Sequence, residues 1–133
     1  MTSRNKAKGT RWERDLRDYF RSVGIQAYRP AQEGRGDVGD LHGLAPFVGQ
    51  AKDWEDTVAA LRVGTDGAQV QAKNAREPYG VNFVKRRRAA VEKGYAVMPV
   101  ATFARLLLRL RSAESLLAAL NFEVYEDHLA RHH

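Results

Sequence analysis

The stretch Gly39-Asp40-Leu41-His42-Gly43-Leu44-Ala45-Pro46-Phe47-Val48-Gly49-Gln50-Ala51-Lys52 decides how this chain is read. It divides into two short strands, over residues 37–44 and 47–52, with Ala45-Pro46 turning between them. Side chains alternate between the two faces of a strand. Gln50 and Lys52 therefore share a face with Val48, while Phe47, Gly49 and Ala51 take the other. If the two strands pair across the turn, Asp40 lies beside the Gln50/Lys52 end. A carboxylate, an amide oxygen and an ammonium then meet at one end of a sheet. Mg²⁺ prefers such hard oxygen ligands, one or two carboxylates completed by water and phosphate oxygens. A lysine beside the ion can orient or help deprotonate a water. Together these groups suit metal-assisted hydrolysis of a phosphodiester. Asp37 is a rival for the metal aspartate. The spacing of Asp40 to Gln50 and the short hairpin implied by Leu41-His42-Gly43-Leu44 favour Asp40, which leaves Asp37 to an outer shell or to capping the loop.

Upstream of this stretch, residues 5–24 read as a helix. Trp12, Leu16, Tyr19, Phe20 and Val23 recur at helical spacing, and Gly24 suits a C-terminal cap. Ile25 to Arg29 reads as a short strand and Pro30 to Gly36 as a polar loop. Downstream, a helix is expected from Glu55 to Arg76, weakened by Gly64 and Gly67. Strands follow over Gly80–Arg86 and Tyr95–Pro99, then a leucine-rich helix from Ala101 to Leu120. The order α-β-β-β-α-β-β-α predicts a central mixed five-stranded sheet flanked by helices, of the α/β class, in one domain covering residues 1–133. Leu106, Leu107, Leu108, Leu110, Leu116, Leu117 and Leu120 lie on more than one side of the last helix, which predicts burial, against the sheet or in part against a second copy of the chain.

The chain has 133 residues, 22 Lys plus Arg against 16 Asp plus Glu, a net charge of +6 and no cysteine. The last point excludes a disulfide framework, a Cys-ligated zinc and a thiol nucleophile. No apolar run approaches the ~20 residues that span a bilayer, and the opening MTSRNKAKGTRWERD has no apolar core of a secretory signal. No membrane partner and a cytoplasmic location are expected, the host cytoplasm if a phage encodes the chain. A basic globular domain favours polyanions, nucleic acid above all. Lys6, Lys8, Arg11 and Arg14 surround the first helix, Arg35 lies in the loop, and Lys85, Arg86, Arg87 and Arg88 follow a strand. Their bland reading is solvated surface, or charge protecting a sheet edge. Their functional reading is contact with DNA phosphates, each of which steepens the salt dependence of binding. No element reads as a recognition helix, which favours selectivity for DNA structure over sequence.

An aspartate followed after about ten residues by Glu-x-Lys on the next strand is the signature of the PD-(D/E)xK nuclease superfamily. Asp40 with Gln50-Ala51-Lys52 resembles it. The first helix carries Lys8-Gly9-Thr10-Arg11-Trp12-Glu13-Arg14-Asp15-Leu16, similar to the K-G-x-x-x-E-R-x-L opening of archaeal-type Holliday junction resolvases. Ala27-Tyr28-Arg29 resembles the A-x-R that follows. Phe83-Val84-Lys85-Arg86-Arg87, then Tyr95-Ala96-Val97-Met98-Pro99 into a helix, are similar to the closing strands of phage and bacterial relatives. The likeness covers about residues 5–110. It implies a restriction-endonuclease-like core and a homodimer that nicks two opposed strands of a four-way junction, leaving 5′-phosphate ends. It also implies catalysis by Glu13, Asp40, Gln50 and Lys52, and Mg²⁺ (with Mn²⁺ able to substitute) held by Glu13, Asp40, Gln50 and the Ala51 carbonyl.

The sequence departs from the family at Gln50, which replaces the second acid. An amide oxygen still ligates a hard cation, with one negative charge fewer. Gly39 stands where proline precedes the aspartate, and the serine of some archaeal members has no match. Two alternatives follow: another repair or recombination nuclease with the same core, or a branched-DNA-binding protein whose catalytic site has decayed. The bland readings are a Glu13–Arg17 pair at i+4, a packing role for His42, and a solvated helix face for Gln69 and Gln71.

Overall fold

A computed structural model describes residues 3–31, 37–120 and 122–131. Helix α1 covers Ser3–Ser22, strand β1 Phe47–Lys52, α2 Thr57–Asn74, β2 Tyr79–Val84, β3 Tyr95–Val97, α3 Val100–Leu120 and α4 Phe122–Arg131, with one 3₁₀ turn at Val91–Lys93. The sequence reads as one domain; the chain divides into two compact units, Met1–Pro99 and Val100–His133.

The first unit is built on the apolar stripe of α1. Trp12 and Leu16 are buried with Leu41 and Ala51, and Phe20, Leu44, Phe83 and Val91 pack around them. The Trp12 indole N–H donates to the Phe83 carbonyl at 3.0 Å, so the aromatic anchor of α1 has a polar partner on β2. The helix stops where Val23, Gly24 and Ile25 N–H groups turn back to the Phe20 and Arg21 carbonyls.

On the opposite face α2 lies close to the sheet. Asp56 caps it by accepting from the Ala59 N–H at 3.0 Å. Ala60, Gly64, Ala68 and Ala72, four residues apart, are all buried. A Cβ on Gly64 would come within 2.5–2.7 Å of the Asn82 amide, and one on Gly80 within 2.1 Å of the Ala68 carbonyl oxygen. Gly64, expected to weaken the helix, is what allows it to approach the sheet.

The sheet is mixed and flanked by helices, with strand order β1-β2-β3. β1 and β2 run parallel, from Phe47↔Tyr79 to Lys52↔Val84. β2 and β3 are antiparallel over Asn82↔Val97 to Val84↔Tyr95. Three strands, rather than the five expected, form it among the described residues. Residues 25–29 and 37–44 contribute only the isolated bridges Tyr28↔His42 and Leu41↔Gly49. Gly39 at φ +97° and Gly43 at φ +77° leave the extended region on either side of Leu41 and His42, so the ladder cannot propagate. Pro30 follows Tyr28 closely and ends pairing on that side.

The second unit departs most from expectation. Of the α3 side chains only Thr102 is buried. Phe103, Leu110, Leu117 and Leu120 are 54%, 52%, 45% and 81% exposed. Within this unit the leucine-rich helix keeps these side chains exposed. Among the described residues no helix is long and apolar enough to cross a membrane.

Candidate active site

The Gly39 turn docks Asp40 and Leu41 against the free edge of β1. Both N–H groups donate to the Gly49 carbonyl, at 2.9 and 3.0 Å, and the Gly49 N–H returns to Leu41 at 3.0 Å. The ladder then continues through a side chain, because Asp40 Oδ2 accepts from the Ala51 N–H at 2.9 Å. Asp40 thus sits beside the end of β1, as the spacing in the sequence requires. Burial pushes its carboxyl above the ordinary carboxylate value. The Ala51 N–H, Lys52 and Arg29 oppose that shift, and Asp37 adds to it.

Glu13 reaches the same place from α1. Its Oε1 accepts from Arg29 Nε at 3.1 Å. Burial raises its carboxyl too, and the Asp40 charge raises it further, while Arg29 and Lys52 pull it down. Glu13, Asp40 and Lys52 therefore act on one another through space, with Arg29 as a fourth member. Lys52 is half-buried, and its Nζ lies 4.6 Å from the centre of the Trp54 ring, a cation–π contact.

Gln50 is 6% exposed, and its Oε1 has no hydrogen-bond partner among the described residues. It pairs in register with Asn82, whose amide donates to the Ala60 carbonyl of α2 at 3.1 Å. Leaving a buried amide oxygen unpaired costs on the order of 1–3 kcal/mol, and a hard cation is one partner that would satisfy it. Among the described residues no three His, Cys, Asp or Glu side chains gather as a metal site. The donors brought together here are the Glu13 and Asp40 carboxylates and neighbouring backbone carbonyls; Gln50, level with Asn82 on the face toward α2, is not joined to them by any contact among the described residues. This set suits Mg²⁺ or Mn²⁺, which accept few protein ligands and complete their shell with water and phosphate oxygens.

Asp37 takes the capping role. Its Oδ1 accepts from the Gly39 N–H at 3.2 Å and its Oδ2 from Gln71 Nε2 at 2.7 Å, and its carbonyl accepts from Asn74 Nδ2 at 2.8 Å. These bonds fasten the loop before Asp40 to the end of α2. Gln71 is 4% exposed, not on a solvated face; its spacing from Ala68 and Ala72 was the signal. Gln69 likewise faces inward and donates to the Thr65 and Gly80 carbonyls. His42 is a packing residue, its Nε2 2.6 Å from the Val38 carbonyl oxygen and its ring beside Tyr28. Arg17 pairs with Asp18, so the i+4 partner expected for Glu13 is replaced by Arg29. Arg29 belongs to a stretch the sequence brought forward, yet an isolated arginine gives no sign of its partner.

The basic residues fall into two states. Lys8 and Lys85 each stand 3.9 Å from Asp53, a carboxylate the sequence reading passed over. Lys6, Arg11, Arg14, Arg86, Arg87 and Arg88 are exposed. The Lys85 N–H donates to the Lys52 carbonyl at 3.0 Å, so the basic run leaves the sheet beside the candidate site. Arg35 lies outside the described residues. Comparison with protein-family models, with curated proteins and with solved structures found no match to this chain.

Proposed function

We propose that the chain is a divalent-metal-dependent DNA endonuclease of the Holliday-junction-resolvase kind, acting on four-way junctions as a homodimer. The observation that carries this reading is the meeting of Glu13 from α1, Asp40 from the β1 edge and Lys52 from the end of β1. Glu13, Asp40, the Gln50 amide oxygen and the Ala51 carbonyl would hold Mg²⁺ or Mn²⁺. When bound, that ion would neutralise the scissile phosphate and charge building on the 3′ oxygen. Lys52 orients the attacking water, its ammonium kept close by the Trp54 ring. Arg29 holds the Glu13 carboxylate in place through its Nε contact. The exposed arginines of α1 and of residues 86–88 receive flanking phosphates. Cleavage leaves 5′-phosphate and 3′-hydroxyl ends. One site per chain makes two chains necessary for two opposed nicks.

The experiment is cleavage of a labelled four-way junction by the purified protein with Mg²⁺, Mn²⁺ or EDTA. Paired nicks that need the metal and vanish in Asp40→Asn are expected. Gln50 in place of an acid favours a second reading, a branched-DNA-binding protein without catalysis. Tight junction binding with no cutting at any Mg²⁺ or Mn²⁺ concentration selects that reading and removes the first.

A further inference from the structure

Beside Glu13 on α1, Trp12 walls a separate cleft of about 120 Å³. Tyr19 and Phe20 of α1, Phe83 of β2 and Tyr95 of β3 complete its walls, and Glu92 stands at its rim. The back of the cleft is packed: Trp12 is 2% exposed, its indole N–H is bonded to the Phe83 carbonyl, and the Phe20 and Phe83 rings lie 5.3 Å apart. The front is open, with Tyr95 48% exposed and Glu92 exposed. Between Phe83 and Glu92 the chain carries Lys85 and three exposed arginines, Arg86, Arg87 and Arg88.

Aromatic rings that remain accessible, on a chain that passes through three exposed arginines between the lining residues Phe83 and Val91, match the chemistry of single-stranded nucleic acid. Bases stack on the rings while the cations follow the phosphates. A lipid tail or an aliphatic side chain would have no use for the arginines. Glu92 offers a carboxylate acceptor to a base N–H, such as N3–H of thymine. We infer that this cleft takes one unstacked nucleobase of single-stranded DNA, with Arg86, Arg87 and Arg88 on the adjoining phosphates. The inference rests on the DNA reading above and extends it. Opening of base pairs at the centre of a junction would present an unstacked base, and the cleft, built on the same helix as Glu13, would then fix where that base sits relative to the cut.

Binding in EDTA tests this without any cleavage. The chain has two tryptophans, so Trp54→Phe leaves Trp12 as the sole reporter. An oligo(dT) strand is expected to change the Trp12 emission, whereas a blunt duplex of the same length binds without that change. Tyr95→Ala weakens oligo(dT) binding about tenfold, within the range that stacking of one base supplies, and changes duplex binding by less than about twofold. Tyr95→Phe, which keeps the ring, restores wild-type binding, and Tyr19→Ala repeats the loss at a second wall of the cleft. A duplex that binds while oligo(dT) leaves Trp12 emission unchanged overturns the inference. So does equal weakening of strand and duplex by Tyr95→Ala, since charge alone would then explain binding. Binding of neither form overturns the DNA reading together with the cleft.

Discussion

Asp40 is held to β1 through its own N–H and through its carboxylate, which accepts from the Ala51 N–H, and it ionises against its surroundings. It and Glu13 both carry carboxyls raised by burial, and each sits within reach of another acid. Over the interval between the ordinary values, 3.8 for Asp40 and 4.5 for Glu13, and the raised folded values, the folded protein binds more protons than the unfolded chain. Stability therefore falls as pH rises through that interval and stays at the lower level above it. Asp40→Asn removes one of these acids and keeps an oxygen for the Ala51 N–H. The Tm of Asp40→Asn minus that of wild type is expected to be near zero at about pH 4 and positive at pH 7. Mg²⁺ should raise the wild-type Tm at pH 7 and shrink the difference. A variant no more stable than wild type at pH 7 would mean the carboxylate is not strained there. Gln50 gives the complementary test. A glutamate at that buried position adds an uncompensated charge, so Gln50→Glu should lower the Tm in EDTA and recover it when Mg²⁺ is added. Metal affinity measured by titration calorimetry rises in the same variant. An unchanged affinity would place residue 50 outside the ligand set.

At the scale of elements, the packing of α2 on the sheet depends on missing side chains. A methyl on Gly80 would press on the Ala68 carbonyl oxygen, a backbone atom that cannot swing aside. Gly80→Ala should destabilise by about 1–3 kcal/mol or more, the range for overpacking. Gly67 lies in the same helix with nothing among the described residues within 4 Å of an added Cβ. Gly67→Ala should stabilise by ~0.5–1 kcal/mol through helix propensity alone. Opposite signs in urea denaturation check the pair; a loss at both positions would mean α2 packs differently. These glycines show what sequence periodicity conveys. The apolar spacing of α1 and the alternation of 47–52 were legible, because helix and strand repeats depend on local geometry. A glycine's role is not local: Gly64 and Gly67 look alike until Asn82 stands opposite one of them. The segments 25–29 and 37–44 read as strands because their residues suit strands, yet with positive φ at Gly39 and Gly43 they form only the two isolated bridges Tyr28↔His42 and Leu41↔Gly49. The leucines of α3 announced an apolar surface without saying what covers it. The candidate site was readable where spacing fixed it, at Asp40 and Lys52. Arg29 and Asp53 were not, since an ion pair between distant segments leaves no periodic trace.

Across the whole molecule, the net charge of +6 overstates the cations ready to meet a phosphate. Asp53 is 13% exposed in its side chain and stands 3.9 Å from both Lys8 and Lys85. Those lysines come from the start of α1 and the end of β2, so one carboxylate gathers two distant elements beside the end of β1. It also neutralises part of the basic surface next to the candidate site. A phosphate arriving there competes with Asp53 for both ammonium groups. Asp53→Asn keeps the size of the side chain and removes the competitor. The variant should bind duplex DNA more tightly at low salt. Its plot of log K against log[salt] should be steeper by up to about 2, because each additional phosphate neutralised adds roughly 0.9 to the slope. Lys8 and Lys85 lose their anchor at the same time, so the gain should fade at high salt, where counterion release supplies little. Anisotropy titrations across a salt series measure both quantities. A slope identical to wild type would show that Lys8 and Lys85 face no phosphate, and the DNA path would then run over Arg11, Arg14 and residues 86–88 alone.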